Sequence, residues 1–391
     1  MISLSSRALG STRSLLLVND RVAWSDSDAQ GWVAGNRWAQ MSIDALFETI
    51  SRTPPLVIPE EYTRSMDGLA RGQIPWPLVI PQHVLGDHIR SISSAVDDAL
   101  EILGDYATTL AASRRILSLL QPCRIDLHAL RHEQGKSNSS ALDSFEPGPD
   151  SMCQVPVYSH ATSTGRLTIH EGPRILTLQK NHRRILASRF DGGHVMQVDF
   201  VSLEPRVLRL LHAMIAPIDL YADVSDRLGG AASRRQVKLA TLKLLYGSSR
   251  ASISEDVGTI SPSAIRQIED YFGLSNLRSK LASEFGKRGI IKSHWGRPLP
   301  EATESHLFVS HFAQSTAVDV SLGGFSSILD KIIESDLDVV PCFVLHDALL
   351  VDVHPSSLDR LSEIVTEGID IEGLGHFEVS LSPAYLDKEG E

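Results

Sequence analysis

The sequence predicts an α+β fold, and three stretches carry that reading. Residues 195–200 alternate apolar side chains with Gln197 and Asp199, as a strand does, and lead into an apolar helical run at 207–211. Residues 234–246 read as one helix, with Gly229-Gly230 before it and Gly247 stopping it. Apolar runs at 341–345 and 348–353 flank His346-Asp347, the pattern of a hairpin or bent strand with its polar residues at the turn.

The bulk properties set the limits. A chain of 391 residues suffices for two or three domains or subdomains. Its 42% hydrophobic and 22% charged residues exclude a disordered chain, and no apolar run approaches the ~20 residues that span a membrane. Cys123, Cys153 and Cys342 are widely spaced with no C-x-x-C pair, so neither a zinc ribbon nor a disulfide framework is indicated, and a reducing cytoplasm fits. Residues 1–19 carry Arg7, Arg13, several serines and no acid; this faintly resembles an organelle transit segment, and an ordinary N-terminus is the simpler reading. The net charge of −11 excludes a uniformly basic coat, yet residues 151–250 hold 14 Lys and Arg against 7 Asp and Glu, a net of +7. A basic middle within an acidic chain points to a localised phosphate or nucleic-acid backbone track.

In chain order, 15–24 and 31–38 are expected to form a small sheet of unassigned role, and 83–132 is expected to be helical, with two long runs at helical spacing. Residues 133–150, rich in Ser, Gly, Asn and Pro, read as a mobile loop. Thr162 to Leu167 is a polar turn carrying Arg166. Asp199 then sits where a strand ends, Ser202 reads as an N-cap, and Glu204 and Pro205 fall in the first helical turn. On the helix at 234–246, Arg234, Lys238, Leu242 and Tyr246 are four apart and form one stripe. Its cations lie at the helix N-terminus, where anions are favoured, and its apolar and aromatic members lie at the other end. A nucleoside triphosphate has that polarity. Trp295 to Pro300 is a Gly/Pro turn, 310–322 reads as a helix with Gln314 and Asp319, and Asp347 is the second candidate metal carboxylate.

Taken together, these stretches resemble the family A DNA polymerases, of the bacterial DNA polymerase I type. Asp199 to Arg206 is similar to the family's D-Y-S-Q-I-E-L-R. Arg234, Lys238, Leu242, Tyr246 and Gly247 fall on R-x3-K-x3-[FY]-x3-Y-G, and His346-Asp347 falls on H-D-E. Thr162 to Leu167 resembles T-x-T-G-R-L, and Gln314, Thr316, Ala317 and Asp319 resemble the helix Q-G-T-A-A-D. The resemblance covers roughly 155–385. Leu242 replaces an aromatic residue, Ala348 replaces the glutamate after the H-D pair, and Ser202 replaces a glutamine.

The resemblance implies a right-hand polymerase fold with an antiparallel-sheet palm, helical fingers and a reduced helical thumb. The expected division is an N-terminal addition at 1–82, thumb-like helices and the mobile loop at 83–154, palm at 155–228 and 301–391, and fingers at 229–300. It implies a template-directed DNA polymerase that adds deoxynucleotides to a primer 3′-OH with two Mg²⁺ ions held by Asp199 and Asp347. Its partners are then primer–template DNA and dNTPs, and the sequence names no processivity partner. Arg234 and Lys238 are expected to hold the triphosphate, with Lys238 donating a proton to pyrophosphate, and Leu242 and Tyr246 to lie beside the nucleotide. Glu204 is expected to close the ribose 2′-OH space, Arg166 and Gln314 to contact the minor groove, and His346 to touch the primer end. No D-x-E exonuclease stretch precedes the motifs, so a short form without proofreading is expected. Two rival readings are a non-catalytic DNA-binding relative and a single-subunit RNA polymerase-like enzyme. The retained Asp199, Asp347, Arg234 and Lys238 oppose the first, and the bulk of Glu204 opposes the second.

Overall fold

The alternation at 195–200 becomes strand His194–Phe200, an inner strand of a four-stranded antiparallel sheet. It lies between strands Ala348–Val353 and Val379–Pro383, and Val339–Leu345 completes the sheet beyond the first of these. The computed structural model describes residues 2–4, 14–18, 21–25, 32–35, 38–52, 62, 64, 79–137, 139–258, 260–302 and 304–385.

One face of this sheet presents Val198, Phe200, Leu349 and Val351 to the long helix Phe308–Glu334, forming the main core. Burying an aromatic or branched aliphatic side chain there stabilises the fold by roughly 1.5–3 kcal/mol each. The contact is close because residue 324 is glycine: a Cβ there would stand 2.7 Å from the Phe200 ring. The other face carries Val195, Phe343, Ala348 and Leu350 into a second core. Cys123, Cys153 and Cys342 all converge in that core as free, buried thiols, although they are far apart in sequence. Burial first, and then Cys342, push the Cys153 thiol up to about 11 against a backbone hydrogen bond from Cys123, which leaves it an inert, hydrophobe-like filler.

A third core is helical. Helix Arg234–Leu245 packs with Arg250–Val257 and Pro262–Tyr271 over Val237, Ala240, Leu244, Ile265 and Ile268, and helix Leu274–Arg288 joins through Pro262–Tyr271 and Phe308–Glu334. Leu220, Tyr221 and Val224 of helix Leu220–Arg227 join it, as do Phe308 and Phe312.

Towards the N-terminus, the expected small sheet is a five-stranded one, built from strands Ile2–Leu4, Ser14–Val18, Arg21–Ser25, Trp32–Gly35 and Trp38–Ser42. Helices Gln82–Leu103 and Tyr106–Leu119 share a core with Ile43, Leu46 and Phe47, and the second also lies along Phe308–Glu334. The loop expected at 133–150 is not simply a loop. Helix Leu127–Lys136 runs into it, Ser140–Asp143 forms a helical turn, and Leu142 and Phe145 are buried. These apolar anchors override the turn-forming composition around them. No helix among the described residues is long and apolar enough to cross a membrane.

Candidate active site

Sheet register brings the two candidate carboxylates together. Asp199, near the end of its strand, pairs with Ala348 on one side and Ser380 on the other. Asp347 occupies the turn immediately before Ala348, and its carbonyl accepts the Phe200 N–H at 3.1 Å. That tight turn places His346 in the left-handed region, φ 49°. Burial, then the charge of Asp347, pushes the Asp199 carboxyl up to about 6, while Lys180, Gln197 and Arg183 act against the shift. Two hard oxygen donors that repel each other across a partly dry site suit a divalent cation. No cluster of three or more His, Cys, Asp or Glu ligands occurs among the described residues.

Lys180 and Arg183 are the residues that sequence reasoning missed. They lie on the 3₁₀ segment Lys180–Ile185, and Arg183 donates to Gln197 Oε1 at 2.9 Å. Buried Glu133 clamps this segment through His182 and Arg184. The signal was available as the basic run 180–184 within the positively charged middle of the chain.

Glu204 joins three of the motifs. Its carboxylate accepts from Arg166 and, at 2.9 Å, from the Tyr246 hydroxyl, so the helix after Asp199, the turn at 162–167 and the end of helix Arg234–Leu245 meet on one side chain. The Arg166 turn is itself supported from below. Arg297, fully buried, donates to the Thr162 carbonyl at 3.2 Å, and Gly165 at φ +76° leaves room for its guanidinium. This gives the Gly/Pro turn around Trp295 to Pro300 a structural role. His346 is held below the ordinary histidine range by burial and by Arg166, against the pull of Asp347, and so stays neutral.

The helix expected at 234–246 spans Arg234–Leu245, opened by a Ser233/Gln236 capping box and ending on Tyr246. Val237, Ala240, Thr241, Leu244 and Leu245 are buried, while Arg234, Lys238 and Tyr246 are exposed and Leu242 is half-buried. Leu242 is not part of the helical core or of the side chains packed against it. Arg234 Nε pairs with Asp219 at 2.7 Å, and Lys238 Nζ lies 6.0 Å from the Tyr221 ring centre. Gln314 is half-buried on the long helix and donates to Ser310 Oγ at 3.0 Å. Ser202 stands at the N-cap position, but its φ of 55° serves the turn after the strand and its side chain makes no cap hydrogen bond. Asp319 lies away from this group, in a buried ion pair with Arg114 at 2.8 Å.

No protein-family model matches the sequence. A DNA polymerase of Mycobacterium phage L5 is 29% identical over 179 residues, covering 43% of this chain and 29% of that protein. DNA polymerase I of Geobacillus stearothermophilus is 24% identical over 307 residues, covering 68% of this chain and 35% of that protein. Among solved structures, the polymerase domain of M. smegmatis Pol1, in complex with DNA primer-template and dNTP, matches with a TM-score of 0.65 at 16% identity. That match covers 87% of this chain and 81% of the other. By sequence the chain is similar to these DNA polymerases, and its fold is that of the Pol1 polymerase domain. The expected α+β right-hand architecture is thereby borne out. The chain spans about a third of the length of the curated relatives it matches.

Proposed function

We propose that the chain is a template-directed DNA polymerase that transfers a deoxynucleotidyl group to a primer 3′-OH. The observation that carries the reading is the adjacency of Asp199 and Asp347 across the strand–hairpin junction. The homologues' names and the polymerase-domain likeness support it.

Asp199 and Asp347 would hold two Mg²⁺ ions, which stabilise the attacking and leaving oxygens of phosphoryl transfer. The remaining work falls to the chain's own residues. Arg234 and Lys238 bind the triphosphate, and Lys238 hands a proton to pyrophosphate. Arg166 and Gln314 contact the minor groove, where hydrogen bonding is tolerant of sequence. Neutral His346 contacts the primer end without adding charge beside the reacting hydroxyl. Primer extension on gapped and on long templates, with dNTPs and with rNTPs, tests the reading. DNA binding without extension would favour the non-catalytic relative, and preferential rNTP use would favour an RNA polymerase-like enzyme.

Two substitutions probe nucleotide handling. Glu204→Ala removes the carboxylate assigned to the 2′-OH space, and rNTP incorporation relative to dNTP is expected to rise roughly tenfold, a ~1.4 kcal/mol change in discrimination. Because Glu204 also anchors Arg166 and Tyr246, Glu204→Gln serves as the control that keeps bulk and acceptor geometry. An equal fall in the use of both nucleotides would make Glu204 structural only. At 242, a phenylalanine offers the base and sugar a flat face worth ~1–3 kcal/mol in base–aromatic contacts. Leu242→Phe is therefore expected to lower KM for dNTPs by up to about tenfold with kcat little changed. The position lies outside the helical core, so no overpacking is expected. A lower melting temperature with unchanged KM would contradict this assignment.

A further inference from the structure

Asp219 has no part in the reading above, yet it holds one of the two triphosphate cations. It is the N-cap of helix Leu220–Arg227, and its Oδ1 accepts the N–H groups of Tyr221 and Ala222 at 3.1 and 3.0 Å. Its Oδ2 accepts Arg234 Nε at 2.7 Å. The contact is single-point, without the two-point fork that Arg115 makes with Asp330. Both side chains remain open to solvent, at 56% and 40% exposure. An exposed single-point pair is weak, and a triphosphate offers more charge and more oxygens than one carboxylate.

Directly beside this pair lies the Tyr221 ring, with Arg234 Cζ 5.8 Å and Lys238 Nζ 6.0 Å from its centre. Tyr221 is buried, and its phenol meets the Ser202 side chain in the turn that follows Asp199. The ring thus lies beside both cations and links them to the turn after Asp199. Partial burial pushes the Asp219 carboxyl up, but Arg234 and the two helix N–H groups outweigh it and keep it below the ordinary range.

Building on the polymerase reading, we propose that Asp219 is a built-in competitor for the incoming triphosphate, which must displace its carboxylate from Arg234 to bind. The pair keeps Arg234 ordered on the Tyr221 ring between turnovers and raises the nucleotide concentration at which the site fills.

Asp219→Asn isolates the charge, because asparagine caps a helix as well as aspartate does. Steady-state kinetics with primer–template and dNTP should show KM about two- to fivefold lower, matching an exposed ion pair, with kcat within about twofold. The gain should shrink as salt rises and should vanish when Arg234→Ala is combined with Asp219→Asn. An unchanged or raised KM in a variant with the parental melting temperature overturns the proposal. So does the same gain in the Arg234→Ala background, which would reveal a general field effect instead of displacement. Asp219→Ser, which also caps, replaces the asparagine variant if that one folds poorly. Calorimetric binding of pyrophosphate to the full chain reads the same competition without turnover. If the parent fails to extend a primer, the polymerase reading fails; pyrophosphate binding still decides whether Asp219 competes.

Discussion

Asp199→Ala and Asp347→Ala are each expected to reduce single-nucleotide incorporation by on the order of 10³-fold or more, equivalent to at least ~4 kcal/mol of transition-state stabilisation. Primer–template affinity should persist, because neither carboxylate carries the positive charge that a DNA backbone seeks. Stability gives a second readout. The Asp199 carboxyl, at about 6, lies above its ordinary 3.8, so the fold disfavours its charged form. That penalty is absent below the unfolded value and fully present above about 6, so without metal the parent gains stability at this group as pH falls through that window. At pH 7.5, Asp199→Ala should therefore match or exceed the parent's stability without metal, by about 1–2 kcal/mol after discounting for partial exposure. Added Mg²⁺ should raise the melting temperature of the parent and not that of the variant. Incorporation by either variant near the parental rate would end the carboxylate assignment. Equal Mg²⁺ stabilisation of parent and variant would place the cation elsewhere.

The contrast between what was and was not legible in the sequence follows physical range. The strand at 195–200, the hairpin around His346-Asp347 and the helix opened by Ser233 are set by local periodicity, capping and turn chemistry, and each is present. The stripe Arg234, Lys238, Leu242 and Tyr246 was equally readable, since helical geometry alone puts those positions on one face. Contacts between distant segments were not legible. Nothing local announces that Glu204 meets Arg166 and Tyr246, that Glu133 clamps the segment bearing Lys180 and Arg183, or that three remote cysteines share one core. Those depend on sheet register and helix packing. Where local and tertiary signals compete, the tertiary signal wins. Phe145 and Leu142 order a stretch whose composition reads as loop, and Ser202 gives up its cap geometry to turn the chain after Asp199.

Asp319 shows the same principle acting on a motif residue, and its replacement is expected to cost stability more than chemistry. Its side chain is 1% exposed, and Oδ1 receives Arg114 Nη1 at 2.8 Å, the Tyr106 hydroxyl at 2.9 Å and Ser113 Oγ at 3.4 Å. His160 accepts from Arg114 Nε at 3.2 Å, and burial together with Arg114 and Arg297 holds it well below the ordinary range, so it is neutral and neither adds to nor balances the Arg114 charge. Burial first, and then Asp319, push the Tyr106 phenol up to about 12, so it too is neutral. Asp319 is thus the anion that balances buried Arg114, and it ties helix Tyr106–Leu119 to helix Phe308–Glu334. Asp319→Ala leaves a buried guanidinium uncompensated, a loss of ~3–5 kcal/mol. The melting temperature should fall by on the order of 10 °C. Asp319→Asn retains an acceptor and should lose less. At 20 °C, below the transition, kcat per folded molecule should stay within about threefold of the parent for both, because Asp319 is hydrogen-bonded to scaffold side chains and not to the residues gathered around Asp199. An asparagine variant with the parental melting temperature and little activity would reverse this assignment, giving Asp319 the functional role that its place beside Gln314 in the motif implies.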